Sequence, residues 1–317
     1  MKAAVVNDFA KPPIYGEFEP PKATAENPLV RVKAAGLHQL VKARASGQHY
    51  TSTGELPLVP GVDGVGTLED GTRVYFAPAL PLVGTMAEYT LADPKLMFPL
   101  PEGIDDVTAA GIANPAMSSW VALSVRAKFQ PGESVMILGA TGTSGLVAVQ
   151  TARRRGARRV VAVGRNPEAL EEAKRLGADA TVTLGDTEAA KAALREQLAE
   201  GVDVVLDYLW GSAAELFFDA FAFKGKHLYR RTRYVNIGSM AGPEIKLPAA
   251  VLRSSKLELL GSGFGSASLE EICASLKEFF AEAAARPYTF TAKAVPLANV
   301  EQAWVEKSDR RIVFTME

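Results

Sequence analysis

The sequence predicts an α/β protein in which a doubly wound parallel sheet is inserted into a β-rich domain. The prediction rests on the spacing of apolar runs in the middle of the chain, on a glycine turn after the first of them, and on the Gly- and Pro-broken texture of the flanks.

The flanking texture comes first along the chain. To about Asn114, short β-type runs such as Met1–Val6, Leu29–Ala34, Gly64–Leu68 and Gly84–Leu91 are punctuated by prolines. Such a pattern predicts a compact β domain with irregular loops. After Asn114-Pro115 the texture changes. A helix is expected over Ala116–Ala127. Ser134–Leu138 is then continuously apolar, as in a strand buried on both faces. A helix to about Arg155 follows, then a second apolar run at Arg159–Val163 and a helix ending near Leu176-Gly177. Further strands are expected at Val202–Leu206, Tyr234–Ile237 and Leu257–Leu260. Strand–helix alternation at this spacing means a parallel sheet covered on both faces. From Leu269 a helix and the runs Ala292–Val295 and Arg311–Thr315 return to the texture of the first domain. The expected divisions are therefore 1–115, 116–268 and 269–317, the middle one inserted into the other two.

Composition restricts the function. With 317 residues, 48% hydrophobic and 22% charged, the chain has material for a sizeable core. A net charge of -1 gives no global field toward nucleic acid or an anionic membrane. The single cysteine, Cys273, cannot form an internal disulfide and fits a reducing compartment. No signal peptide or membrane-length apolar run is evident, so a cytoplasmic protein is expected.

Gly139-Ala140-Thr141-Gly142-Thr143-Ser144-Gly145 joins the first buried run to a helix. Small residues let the backbone turn sharply and approach a pyrophosphate at the helix N-terminus, where free N–H groups point outward. The strand–turn–helix context makes this a dinucleotide site of the Rossmann type; no Lys-Ser or Lys-Thr follows as a P-loop requires. The second run ends in Val163-Gly164-Arg165-Asn166. An NAD site places a carboxylate there for the ribose hydroxyl. Gly164 leaves room instead, and Arg165 offers a charged fork for a 2′-phosphate, so NADPH is expected over NADH. The run Arg153-Arg154-Arg155-Gly156-Ala157-Arg158-Arg159 could suggest nucleic acid. A helix C-terminus ended by Gly156, with cations complementing the helix dipole, accounts for it more simply.

Taken together, Ala35-Gly36-Leu37-His38, Pro60-Gly61-Val62-Asp63-Gly64-Val65-Gly66, Gly84-Thr85-Met86-Ala87-Glu88-Tyr89, the glycine turn, Leu176-Gly177-Ala178-Asp179, Asp203-Val204-Val205-Leu206-Asp207 and Tyr234-Val235-Asn236-Ile237-Gly238 carry a resemblance. The sequence resembles the quinone oxidoreductase branch of the medium-chain dehydrogenase/reductase superfamily, nearly end to end. The resemblance implies a GroES-like substrate domain around a Rossmann domain, an active site in the cleft between them, and a homodimer formed through the Rossmann sheets. It implies that Thr141, Gly142, Thr143, Ser144 and Gly145 meet the pyrophosphate, and that Gly164, Arg165 and Asn166 surround the 2′-phosphate. Ile237 and Gly238 would lie by the nicotinamide ribose, Ser262 and Phe264 by the carboxamide. Arg310 falls near a pyrophosphate-contacting residue, with Arg311 as the alternative register.

Zinc-containing relatives have Cys where His38 stands and His where Val62 stands. Three histidines and one distant cysteine offer no set of about four ligands, so no metal is expected. Many quinone oxidoreductases have Asn-Pro where His38-Gln39 stands, and their loop tyrosine matches His49 or Tyr50. The segment Lys224–Arg233 is longer and more basic than the family pattern. The expected reaction is zinc-independent reduction of a quinone or an α,β-unsaturated carbonyl by NADPH. The cofactor supplies the hydride and the protein supplies orientation. A donor near the substrate oxygen would stabilise developing charge. His38 is the first candidate, with Gln39, His49 and Tyr50 beside it and solvent as the alternative proton source. Tyr50 could also stack on a flat substrate. A zinc-free alcohol dehydrogenase, or a low-turnover NADPH-binding sensor or partner protein, stays open beside this reading.

Overall fold

The computed structural model describes every residue from 1 to 317 except Phe264, Asp309 and Glu317. The chain forms two compact units, Met1–Asn114 with Phe280–Glu317, and Pro115–Phe279.

The first unit begins with β1 (Lys2–Val5), β2 (Ile14–Glu17), β3 (Leu29–Gly36), α1 (Gln39–Ala45), β4 (Gly64–Thr67), β5 (Arg73–Pro78) and β6 (Tyr89–Pro99). β1 and β2 pair antiparallel. β3 pairs with both β4 and β6, so β3 to β6 close on themselves. This is the GroES-like domain. Its core gathers Val30, Val32, Val74, Phe76, Met86 and Phe314. Sequence reading placed a β run at Gly84–Leu91, but β6 starts at Tyr89 and runs through Pro94 to Pro99. Gly84 is instead pressed against the Pro60-Gly61 backbone, where a Cβ would lie 2.5 Å from either carbonyl oxygen.

α2 (Asp106–Val121) starts well before the helix expected at Ala116. Asp105 signals its start, since its Oδ1 accepts from the N–H of Thr108 at 2.8 Å. Asn114-Pro115 is no break, because Pro115 lies inside the helix. A π-helical turn, Ala122–Arg126, follows.

The second unit alternates β7 (Ser134–Leu138), α3 (Thr143–Arg154), β8 (Arg159–Gly164), α4 (Pro167–Arg175), β9 (Ala180–Thr183), α5 (Thr187–Ala199), β10 (Val204–Asp207), α6 (Gly211–Phe221), β11 (Thr232–Asn236), α7 (Ala249–Arg253) and β12 (Leu257–Gly261). The strands form one parallel sheet in the order β12-β11-β10-β7-β8-β9. β7 is buried along its whole length. One apolar cluster, with Val135, Ile137, Ala148, Val160 and Leu206, covers one sheet face. A second, with Met136, Leu138, Val161, Phe217 and Tyr234, covers the other. Strand order reverses between β7 and β10, which makes their carboxyl ends the switch point of a Rossmann fold.

α8 (Leu269–Ala285) leads to β13 (Ala292–Pro296), α9 (Val300–Val305) and β14 (Arg311–Thr315), and β14 joins β3. The division between units falls inside α8 at Phe279/Phe280, whereas the sequence reading put it ahead of the helix, at 268/269. The helix straddles the division because Ser275 and Leu276 are buried before it and Phe280 and Ala283 after it.

Candidate active site

The glycine turn stands at the switch point. Gly139 leaves β7 with φ +89° and packs on Tyr208 and Leu209, just beyond β10. Gly142 is the N-cap of α3, and no side chain caps the helix. Its first N–H groups are thus available to an anion. Gly145 lies so close to the turn that a Cβ would sit 2.2 Å from the Gly139 oxygen and 2.5 Å from Ala140 Cα. These are the small-residue cradle and free helix terminus that a pyrophosphate requires.

At the end of β8, the sequence reading gave Gly164 the task of leaving room for phosphate. The structure shows a nearer constraint: a Cβ there would lie 2.3 Å from Thr141 Cγ2, so Gly164 accommodates the first turn. Arg165 is exposed and makes no hydrogen bond or ion pair among the described residues. Asn166 is the N-cap of α4, its Oδ1 accepting from Glu168 and Ala169 N–H at 2.9 and 3.3 Å, so that oxygen already has an occupation. Beyond β11, the N–H groups of Ile237 and Gly238 both donate to the Asp207 carbonyl oxygen, at 2.7 and 3.1 Å. Ser262 follows β12 and its N–H donates to the Asn236 oxygen at 2.8 Å. Phe264 lies outside the described residues. Arg310 is exposed in the first unit, its N–H bonded to Ser308 Oγ.

Asp207 anchors the turn after β10. Its carboxylate accepts from Leu209 N–H, Trp210 N–H and the Tyr234 hydroxyl, the last at 2.7 Å. Burial pushes this carboxyl above the ordinary aspartate value, against those hydrogen bonds. Trp210 itself has φ +53°.

In the first unit, His38 is the N-cap of α1 and is 3% exposed. Its Nε2 lies 3.0 Å from Asp63 Oδ1, and Asp63 Oδ2 accepts the Tyr75 hydroxyl at 2.7 Å. Asp63 thus stands between the His38 imidazole and the Tyr75 hydroxyl. Sequence reasoning missed Tyr75, a strand residue whose inward face no local signal distinguishes from core. The Asp63 carbonyl oxygen accepts from Thr85 Oγ1 at 2.7 Å, which fixes the loop. His38 Nδ1 is buried without a hydrogen-bond partner. Arg311 donates Nη1 to the Leu37 oxygen at 2.7 Å, and its Nε is also buried without a partner. Burial pushes this guanidinium down to about 10, opposed by the Asp63 charge, so it remains cationic at neutral pH.

The other proton-donor candidates lie in the loop after α1. Tyr50 is 72% exposed and rests on the His49 ring at a centroid distance of 4.2 Å. His49 Nδ1 is 2.8 Å from Thr51 Oγ1, and burial, then the Arg44 charge, lowers its pKa. Gln39 opens α1 and is exposed. Among the described residues, no three His, Cys, Asp or Glu side chains come together to hold a metal ion.

The arginine run is engaged within its own unit. Arg153 donates to the Gly177 and Ala157 carbonyls and pairs with Asp179. Arg155 stacks on Trp120, and Arg158 and Arg159 pair with Asp203 and Glu200. Among the described residues, no helix is long and apolar enough to cross a membrane.

Comparison with known proteins agrees with this architecture. Residues 145–281 match the family model of zinc-binding dehydrogenases. The chain is 30% identical over 355 aligned positions to a probable NADPH-dependent quinone reductase of Emericella nidulans, covering 98% of each chain. It is 28% identical to an NADPH-dependent alkenal/one oxidoreductase of Arabidopsis thaliana, over 65% of this chain and 57% of that one. The quinone oxidoreductase of Thermus thermophilus, solved also in complex with NADPH, superimposes with a TM-score of 0.81 at 26% identity, covering 99% of this chain and 100% of that one. With a glycine turn at a Rossmann switch point and a GroES-like partner domain, the chain belongs to the medium-chain dehydrogenase/reductase superfamily, in its quinone oxidoreductase-like branch.

Proposed function

We propose that this protein is a zinc-independent, NADPH-dependent reductase of quinones or α,β-unsaturated carbonyl compounds. The observation that carries the reading is the pair of loops ending β7 and β8: an uncapped helix terminus behind close-packed glycines, and an unpaired Arg165 where NAD sites keep an acid. Bound NADPH supplies a hydride. The N–H groups from Thr143 to Gly145 hold its pyrophosphate by charge and dipole. Arg165 takes the 2′-phosphate in its fork, with Asn166 beside it. Ile237, Gly238 and Ser262 line the nicotinamide end. Arg310 is a further candidate for the pyrophosphate. His38 gives the substrate oxygen its proton, while Tyr50 and His49 shape the entry.

Zinc independence is supported by the donor set: among the described residues no three His, Cys, Asp or Glu side chains come together, and zinc needs about four donors where His38 and Asp63 offer two groups. The names of the relatives above support both substrate classes and the cofactor. An expected homodimer is supported by the outer position of β12, whose Leu259 is exposed.

The test is NADPH oxidation, followed by absorbance, across a panel of quinones and enones. Saturable turnover with one class establishes the reaction. Tight NADPH binding without turnover favours a sensor or partner protein, and oxidation of simple alcohols with NADP favours an alcohol dehydrogenase. Arg165→Ala is expected to raise the NADPH KM about tenfold or more, the order expected for one charge-assisted contact, and to leave the NADH KM nearly unchanged. Equal effects on both cofactors would remove Arg165 from the site.

A further inference from the structure

We propose that Arg126 is a positioning residue for the cofactor's nicotinamide: its guanidinium joins the carbonyl oxygens of Gly261 and Ser266 and holds the loop between them in the shape that receives the carboxamide. The inference deepens the function proposed above and rests on its placement of Ser262 at the nicotinamide end.

Topology gives the place. The strand order is β12-β11-β10-β7-β8-β9, with the switch point between β7 and β10. A dinucleotide lies across that point, one half on each side. With the 2′-phosphate half assigned to Arg165 after β8, the nicotinamide half falls to the carboxyl ends of β10, β11 and β12. The ends of β11 and β12 are tied together: Ser262 N–H donates to the Asn236 oxygen at 2.8 Å, and Asn236 Nδ2 donates to the Gly238 oxygen at 2.9 Å.

The loop after β12 does not take its shape from packing. Gly261, Gly263 and Gly265 are all exposed, and Gly265 has φ +91°. Glycine loses more backbone freedom on ordering than any other residue, so such a loop must be held by its hydrogen bonds. Ser266 N–H donates to the Gly263 oxygen at 3.1 Å, and Ser266 Oγ accepts from Gly263 N–H at 2.7 Å. Arg126 closes the loop from outside. Its Nε donates to the Gly261 oxygen and its Nη1 to the Ser266 oxygen, both at 2.7 Å. A guanidinium is planar and rigid, so the two bonds together fix the separation of these carbonyls. Arg126 stands in the π-helical turn after α2, where Ala127 N–H donates to the Ala122 oxygen at 2.8 Å, five residues back. Such turns recur at functional sites.

The held loop keeps two groups for a ligand. Ser262 N–H is taken by Asn236, while the Ser262 carbonyl and hydroxyl have no partner among the described residues. Both can accept, and the carboxamide NH2 of a nicotinamide donates.

The test is a binding cycle on the full-length protein with NADPH and its reduced 3-acetylpyridine analogue, in which a methyl group replaces the carboxamide NH2. Calorimetry gives both dissociation constants without turnover. The wild type is expected to bind NADPH about fivefold more tightly than the analogue, the size of one hydrogen bond. Arg126→Met is expected to lose that preference: NADPH weakens to the analogue's level, and the analogue stays within about twofold of its wild-type value. With 1,4-benzoquinone as acceptor, kcat on NADPH is expected to fall about tenfold or more, because a displaced nicotinamide misaims the hydride. If the methionine variant does not fold, Arg126→Lys, which keeps the charge and the stem but not the rigid plane, is read in the same way. A variant that keeps the wild-type preference overturns the proposal. One that weakens both cofactors equally also overturns it, since that is the mark of a general loss of structure. A wild type without preference overturns it too, because the loop then receives no carboxamide. A wild type that prefers NADPH but turns over no quinone or enone removes the reductase reading alone, and the binding cycle still decides the role of Arg126.

Discussion

Thr141 and Gly164 are matched across two loops that sequence places far apart. A methyl group on residue 164 would meet Thr141 Cγ2 at 2.3 Å and Oγ1 at 2.8 Å. Gly164→Ala should therefore disturb the phosphate-binding turn from outside it, weakening NADPH binding and costing about 1–3 kcal/mol as other overpacked sites do. Adding Thr141→Ala deletes both of the close atoms. The double variant should recover most of the loss, with a coupling of about 1 kcal/mol or more in a thermodynamic cycle. Additive effects, measured by denaturant unfolding and NADPH titration, would show that Gly164 acts through something other than Thr141. The family resemblance made both residues candidates for the site. It could not show that one glycine serves the other loop, because that contact exists only once β7 and β8 lie side by side. The same limit hid the chain from Tyr75 through Asp63 to His38, whose members come from β5, a loop and the start of α1.

At the scale of elements, helix ends were better signalled than helix beginnings. Gly156 ends α3 with φ +86°; its N–H donates to Arg153, and Ala157 N–H to Ala152, which closes the terminus. A Cβ there would touch Pro131 at 3.1 Å. Gly156→Ala is expected to cost about 1–2 kcal/mol, the penalty of a left-handed residue bearing a side chain, plus any contact strain. An unfolding midpoint equal to wild type would show that the terminus relaxes freely. The beginning of α2 was misread because Asn114-Pro115 looks like a loop signal. Asp105 and the helical residues between them outweigh the one backbone bond that Pro115 forfeits. Strands β7, β8 and β10 were legible because burial on both faces leaves an apolar run in the sequence, while β12, half exposed at the sheet edge, was legible through its leucines alone. β9 was not, because its four residues, Ala180–Thr183, are mostly half-buried and polar enough to read as loop. β6 was misplaced because Pro94 interrupts a strand that nonetheless continues.

The molecule as a whole consists of one unit made from a continuous segment and another made from the two chain ends. Each has its own buried cluster, around Phe76 and Phe314 in one and around Ile137 and Phe217 in the other. A unit with its own core and a continuous chain should fold alone. The fragment 115–285 keeps α8 whole and retains both faces of the parallel sheet together with the loops assigned to NADPH. It is expected to unfold cooperatively and to be stabilised by the cofactor, by about 2.7 kcal/mol when NADPH stands at a hundred times its Kd. The same fragment with Arg165→Ala should lose most of that gain with NADPH and keep what it has with NADH. A fragment that unfolds cooperatively without responding to NADPH would place essential cofactor contacts in the other unit, with Arg310 as the first residue to examine. A fragment with no cooperative transition would mean that the inserted core depends on the chain ends for its stability. The contact division inside α8, at Phe279/Phe280, would then mark where that dependence begins.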